Sequence, residues 1–277
     1  MRKSYIITLL ILTLTKQTSS TAAGQETLIG IKGKDFIMIG ADSSMSGNGG
    51  ISITSNSVDK IHEITTSILL ATAGDIADCD YINSVVSTHA KIREFEGVGH
   101  DVQYVINGEE QEFGLDVNNI AHLARNEISY RLRNLPLRVN LLVAGMVPYY
   151  NTNKPSEPSL LSQRIHSQIS KTIQLPPQTD KTTDNETNNE VITLKPQLYW
   201  LDEYGSNQKI PYSVHGYASN FALSILDQNY HAKMNKEEVL ALMKECFYQL
   251  RTRYIINTES RICVKCVDRF GVSTFEI

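Results

Sequence analysis

The chain has 277 residues, of which 41% are hydrophobic and 20% are charged, so it can bury one substantial core and we expect one large domain. Its formal net charge of -4 excludes the basic surface that phosphate binding requires, so nucleic acid is not an expected partner. The four cysteines, Cys79, Cys246, Cys263 and Cys266, are too scattered for a disulfide framework and are expected to be buried apolar residues in a reducing compartment.

The first 23 residues read as a separate segment. Two basic residues precede an apolar run from Tyr5 to Leu14, and small residues follow at Thr21 to Ala23, which is the layout of a secretory signal. The run is too short to span a bilayer, and no membrane association is expected. A removable propeptide or a start codon placed too far upstream are alternatives that weigh more than secretion. The sequon Asn185-Glu186-Thr187 adds little, because it lies in a polar stretch.

Short apolar runs predict the first strands. Thr27 to Ile31 and Phe36 to Ala41 are joined by Gly33-Lys34-Asp35, which predicts a hairpin buried on both faces. Ile68 to Ala73 predicts another buried strand, and the pattern that follows from Asp75 predicts an amphipathic helix. The apolar face of that helix is expected to carry Ile82, Val85, Val86 and His89.

A hairpin and a helix are predicted in the middle of the chain. Val102 to Ile106 and Glu109 to Phe113 flank Asn107-Gly108, a pair that tolerates the positive φ angles of a two-residue turn. The helix is expected from Asp116 to Leu132 with Asp116 as its N-cap. Its buried face is expected to consist of Val117, Ile120, Ala121, Ala124 and Ile128.

A polar insertion from Tyr149 to Lys195 separates two predicted strands. Asn, Thr, Ser, Gln, Lys and Pro dominate it, and such a composition buries too little apolar surface to offset the entropy of ordering. Val139 to Gly145 before it and Gln197 to Leu201 after it read as strands that pair with each other. A loop insertion within one domain of residues 24–277 is therefore preferred to a linker between two domains.

Two helices and one strand are predicted at the end of the chain. Asn220 to Tyr230 reads as a helix, and Asn235 with Glu238 forms an N-cap and a partial capping box for a second helix. Arg261 to Val267 is expected to be the final strand. The apolar face of the second helix comprises Val239, Leu242, Met243, Cys246, Phe247 and Leu250. An α+β fold of four layers, with two sheets each covered by a pair of helices, would bury all these faces.

Few residues suggest chemistry. Residues three apart on a strand point to opposite faces, so Cys263 and Cys266 are not expected to bind a metal, and His215 reads as a hydrogen-bonded turn residue. Asp42 ends a buried strand and Lys60 is expected on the strand after the glycine-rich loop Ser46 to Gly50. Charges in such places mark either a site or an ion pair between them.

Several segments together resemble the β-type subunits of the eukaryotic 20S proteasome. They are Thr27 to Gly33, Ala41-Asp42-Ser43, Val58 to Ile61, Ala71 to Asp75, Arg138 to Gly145, Pro211-Tyr212, His215-Gly216-Tyr217 and Leu223 to Asp227. The resemblance runs from about Thr27 to Ile277 and is closest to the subunit type at the fourth position of the β ring. It implies the αββα sandwich of N-terminal-nucleophile hydrolases, in agreement with the predicted layers.

The resemblance also implies which residues would carry catalysis. Active members expose an N-terminal threonine after a glycine, and its α-amine serves as the base. Here Gly24 is followed by Gln25, which has no hydroxyl, so the nucleophile is expected to be lost.

The other catalytic positions of the family are partly retained. The first aspartate and the lysine match Asp42 and Lys60, Ser260 matches the last serine, and Tyr217 and Asn257 replace a serine and the second aspartate. Loss of a nucleophile together with its base costs on the order of 10⁶ in turnover, which the retained residues cannot recover.

The function implied is that of a non-catalytic structural subunit without a cofactor. It would join α and β subunits in a twenty-eight-subunit core that performs ubiquitin-dependent protein degradation in cytoplasm and nucleus. Two alternatives stay open: an active threonine peptidase in which trimming at Glu26 frees Thr27, and a secreted paralogue with another role.

Overall fold

The computed structural model describes residues 26–47, 52–55, 57–95, 103–106, 109–112, 116–149, 193–216, 218–253 and 261–276. The predictions for the N-terminal segment 1–23, for the turn Asn107-Gly108 and for the sequon at Asn185 lie outside these residues. No helix within the described ranges is long and apolar enough to cross a membrane.

Fourteen strands and four helices make up the described part of the chain. The strands are β1 (Leu28–Lys32), β2 (Phe36–Asp42), β3 (Met45–Gly47), β4 (Ser52–Ser55), β5 (Ile61–Thr65), β6 (Ile68–Gly74), β7 (Gln103–Ile106), β8 (Glu109–Glu112), β9 (Val139–Tyr149), β10 (Thr193–Leu201), β11 (Asn207–Ile210), β12 (Tyr212–His215), β13 (Ile262–Asp268) and β14 (Gly271–Glu276). The helices are α1 (Ile76–Phe95), α2 (Val117–Arg131), α3 (Ser219–Asn229) and α4 (Lys236–Arg253).

Two five-stranded antiparallel sheets form the centre of the molecule. One has the order β12-β1-β2-β13-β14, and the other has the order β11-β10-β9-β6-β5. Their facing sides share an apolar core that includes Leu28, Ile39, Leu142 and Leu198, all inaccessible to solvent. Helices α1 and α2 cover the outer face of the second sheet, and α3 and α4 cover that of the first. The predicted αββα sandwich is confirmed.

The predicted hairpins and helix termini are present. Strands β1 and β2 pair antiparallel with Leu28 opposite Ala41, and β7 pairs with β8 with Ile106 opposite Glu109. The Asp116 side chain accepts a hydrogen bond from the backbone N–H of Asn118 at the start of α2. The backbone N–H of Asn235 donates to Glu238 over 2.8 Å, which completes one half of the predicted capping box.

The buried face of α1 differs from the predicted one. Its buried residues are Cys79, Ile82, Val86 and Ala90, whereas Val85 is half-buried and His89 is exposed. Residues recurring at intervals of three and four form one stripe on a helix, and a stripe that begins at Cys79 passes through Ala90 rather than His89. Ile82 and Val86 belong to both faces, and the prediction was wrong for Val85 and His89.

Several strand assignments also require correction. Strand β9 continues to Tyr149 and β10 begins at Thr193, so the insertion starts later and ends earlier than predicted, although the two strands pair as expected. Pro148 and Pro196 hid these extensions, because a residue without an N–H usually interrupts a strand. Strand β14 follows β13, which is therefore not the final strand, and Lys60 lies just before β5 rather than on it.

His215 is a buried strand residue between the two sheets and not a turn residue. Its Nε2 lies 3.0 Å from the carbonyl oxygen of Leu141, and since a carbonyl can only accept, Nε2 carries the proton. The ring stacks on Trp200 with 5.4 Å between the ring centroids. Burial lowers the pKa of His215 from about 6.5 to about 4, against the opposing effect of the Leu141 hydrogen bond.

This buried histidine predicts a loss of stability in acid. Because its pKa is lower in the folded state, its neutral form contributes fully above about pH 6.5, and that contribution is lost as the pH falls towards about 4. The shift corresponds to roughly 3 kcal/mol. Urea unfolding of the parent chain and of His215→Gln should be compared between about pH 6.5 and about pH 4. The stability of the parent chain relative to the variant should fall by roughly 3 kcal/mol as the pH is lowered. A difference independent of pH would contradict the prediction.

Candidate functional site

Asp42 is the centre of a buried polar cluster at the open end of the β1–β2 hairpin. It is the last residue of β2 and only 2% exposed. One carboxylate oxygen, Oδ1, accepts from the backbone N–H of Thr27 over 2.8 Å. The other, Oδ2, accepts from the Ser44 hydroxyl over 2.5 Å. The carboxylate is thus held from both sides by groups of its own hairpin and the turn after it.

Lys60 reaches the same cluster from the segment before β5. Its ammonium Nζ lies 3.1 Å from Asp42 Oδ1, 2.7 Å from the carbonyl oxygen of Ser44 and 3.5 Å from Glu26 Oε1. An ammonium has three N–H donors, and three acceptors surround this one. The ion pair between Asp42 and Lys60 that the sequence suggested is therefore present, and it is buried.

Glu26 is the member of the cluster that sequence reasoning did not place in the site. It lies just before β1, is 7% exposed, and accepts through Oε2 from the backbone N–H of Gly74 over 3.0 Å. Burial raises its pKa, against the lowering effects of Lys60 and of the Gly74 hydrogen bond, while the charge of Asp42 raises it further. Two buried carboxylates therefore share one ammonium.

The signal for Glu26 was present in the predicted hairpin. Strand β1 places Leu28 opposite Ala41. One residue further along the same antiparallel register, Thr27 lies opposite Asp42, and Glu26 directly precedes Thr27. This register places Glu26 near Asp42, but it does not show that the Glu26 side chain reaches Lys60. Sequence reasoning treated Glu26 only as a residue to be trimmed.

Other predicted site residues lie elsewhere or outside the described residues. Gln25, Tyr217, Asn257 and Ser260 are not among the residues that the structure describes, so their predicted roles stay predictions. Among the described residues, no group of three or more His, Cys, Asp or Glu side chains could hold a metal ion.

Three of the four cysteines fit the interpretation as core residues, whereas Cys263 is half-buried. Burial raises the pKa of Cys79 and Cys246 to about 12 and that of Cys266 to about 11, so these thiols stay protonated at neutral pH. Cys79 faces the helix-covered side of the second sheet, and Cys246 and Cys266 pack in the core beneath α3 and α4. None of these three is a thiolate nucleophile.

The αββα sandwich and the aspartate–lysine pair at the end of its first hairpin place the chain in the class of N-terminal-nucleophile hydrolase folds. The chain belongs to the proteasome subunit family, whose model matches residues 22–156 and 148–265. This confirms the family that the sequence segments indicated.

Several relatives of known name are similar over nearly the whole chain. A probable proteasome subunit beta type-4 of Neurospora crassa is 27% identical over 252 residues, which cover 91% of this chain and 95% of the relative. The proteasome subunit beta type-4 of Saccharomyces cerevisiae is 24% identical over 88% of this chain and 94% of its own length. A proteasome subunit beta type-2 of Dictyostelium discoideum is 26% identical over 89% of this chain and 95% of its own length.

Proposed function

We propose that this chain is a non-catalytic structural β subunit of the 20S proteasome core. It would help to enclose the chamber in which ubiquitin-marked proteins are degraded, together with α and β subunits in a particle of twenty-eight chains. Family membership and the names of the relatives support the subunit role. Assignment to the fourth position of the β ring rests on the sequence resemblance and on those names.

The observation that supports the lack of catalytic activity is the identity of the side chain that contacts Lys60. Lys60 contacts the carboxylate of Glu26, and a carboxylate that is already paired with an ammonium has neither a hydroxyl nor a free amine to offer a peptide bond. The predicted loss of the nucleophile at Gln25 points in the same direction.

The geometry around Thr27 disfavours the alternative of an active threonine peptidase. The Thr27 nitrogen lies 2.8 Å from Asp42 Oδ1 as a backbone amide. If trimming turned that nitrogen into a free α-amine, the adjacent buried carboxylate would favour its charged form. A charged amine cannot accept the hydroxyl proton, so this position suits a structural hydrogen bond better than a general base.

Native mass spectrometry of the chain purified from its own cells, followed by N-terminal sequencing, tests this proposal. We expect a large multi-subunit particle in which the chain does not begin at Thr27, and we expect it in cytoplasm and nucleus. Treatment of the particle with an electrophile that reacts with N-terminal threonine should leave this chain unmodified, while catalytic subunits of the same particle serve as the positive control. An adduct on Thr27, or a secreted chain glycosylated at Asn185, would overturn the proposal.

A further inference from the structure

The two carboxylate oxygens of Glu26 bind two donors that belong to different parts of the fold. Oε1 lies 3.5 Å from the ammonium of Lys60, which precedes β5, and Oε2 lies 3.0 Å from the backbone N–H of Gly74, the last residue of β6. A carboxylate can bridge two such donors with one oxygen each, and its negative charge matches the ammonium, whereas an amide is neutral and presents an NH₂ donor in place of one oxygen. The arrangement has the form of a bound ligand, although the ligand is part of the chain.

Both donors depend on Glu26 for an acceptor. Asp42 and the carbonyl oxygen of Ser44 accept hydrogen bonds from Lys60, and Glu26 Oε1, at 3.5 Å, is the third acceptor beside its ammonium. The Gly74 N–H is a buried backbone donor, and such donors are almost always paired in native structures. Removal of the Glu26 carboxylate alone would leave one donor of each kind facing the space it occupied.

We propose that Lys60 Nζ and the Gly74 N–H form a carboxylate-binding site and that Glu26 is the ligand with which the chain fills it. The ligand class is a small monocarboxylate. While Glu26 is in place, the site is closed to the carboxylate ends of peptides. This inference goes beyond the role in a particle and does not depend on it, because one chain supplies both donors and the acceptor.

Chemical rescue of Glu26→Ala in the full-length chain tests the proposal. This change removes the Cγ and carboxylate atoms of Glu26, which are the atoms that acetate would replace. We expect acetate to raise the thermal unfolding midpoint of the variant in a saturable manner. At a concentration ten times its dissociation constant, acetate should raise the folded-to-unfolded ratio about elevenfold. Sodium chloride at equal ionic strength and acetamide at equal concentration should produce no such rise.

Two control variants test whether the acetate response requires both the vacated Glu26 position and the Lys60 ammonium. Glu26→Gln retains the volume of the side chain and blocks the site, so acetate should stabilise it no more than chloride does. Glu26→Ala combined with Lys60→Met lacks the ammonium and should not respond either. If Glu26→Ala does not fold in buffer, acetate should restore its refolding yield. An acetate response equal to that of the parent chain, or a variant that acetate neither stabilises nor refolds, would overturn the proposal.

Discussion

Lys60→Met is expected to reduce the free energy of unfolding by about 3–5 kcal/mol, because it leaves buried carboxylates without their cation. Asp42 and Glu26 are 2% and 7% exposed, so water cannot solvate them once the ammonium is removed. Urea unfolding of the full-length chain measures the loss. Part of it should be recovered as the pH is lowered, since burial raises the pKa of Glu26 and its protonation removes one unpaired charge.

Lys265 offers a matched control in the same molecule. Its Nζ contacts two acids, Asp59 at 2.8 Å and Glu63 at 3.5 Å, and the carbonyl oxygen of Ile61 at 2.7 Å, which repeats the set of partners around Lys60. The acids differ in exposure, since the side chains of Asp59 and Glu63 are 53% and 51% exposed. Lys265→Met should therefore cost only about 1 kcal/mol. Equal losses in the two variants would show that burial of the carboxylates does not set the cost.

Gly74→Ala is expected to destabilise the chain by about 2–6 kcal/mol through two separate effects. The φ angle of Gly74 is +141°, which an L side chain rarely adopts. A Cβ atom would also stand 2.1 Å from the carbonyl oxygen of Arg138, a backbone atom that cannot turn aside. Either the end of β6 must shift or the hydrogen bond from Gly74 to Glu26 must break. The denaturant midpoint of the variant measures the sum.

Gly271→Ala separates the two effects. Its φ angle of +111° is also positive, but the nearest atom to an added Cβ is the Thr66 carbonyl oxygen at 3.7 Å, which is an ordinary contact. We expect this variant to lose only the conformational part, about 1–3 kcal/mol. If Gly74→Ala lost no more stability than Gly271→Ala, the close approach of Arg138 would not matter.

Periodicity and turn chemistry were sufficient for the layers of the fold. The β1–β2 hairpin, α2 with its Asp116 cap and α4 with its capping box carry local signals that act between near neighbours, and the structure contains each of them. The boundary errors at β9 and β10 arose where local signals conflict with pairing. Pro148 and Pro196 suggested that β9 and β10 end early, yet the long antiparallel ladder between the two strands includes both prolines.

The sequence by itself predicted the four-layer arrangement, because apolar runs and capping residues are local properties, and its resemblance to a known family indicated the family and suggested that Asp42 pairs with Lys60. Only the tertiary structure decided that Glu26 completes this pair. Its partners Lys60 and Gly74 lie 34 and 48 residues further along the chain. Folding of the second sheet against the first brings all three together. A hydrogen bond between such distant residues depends on the distance between two sheets, which no local pattern encodes.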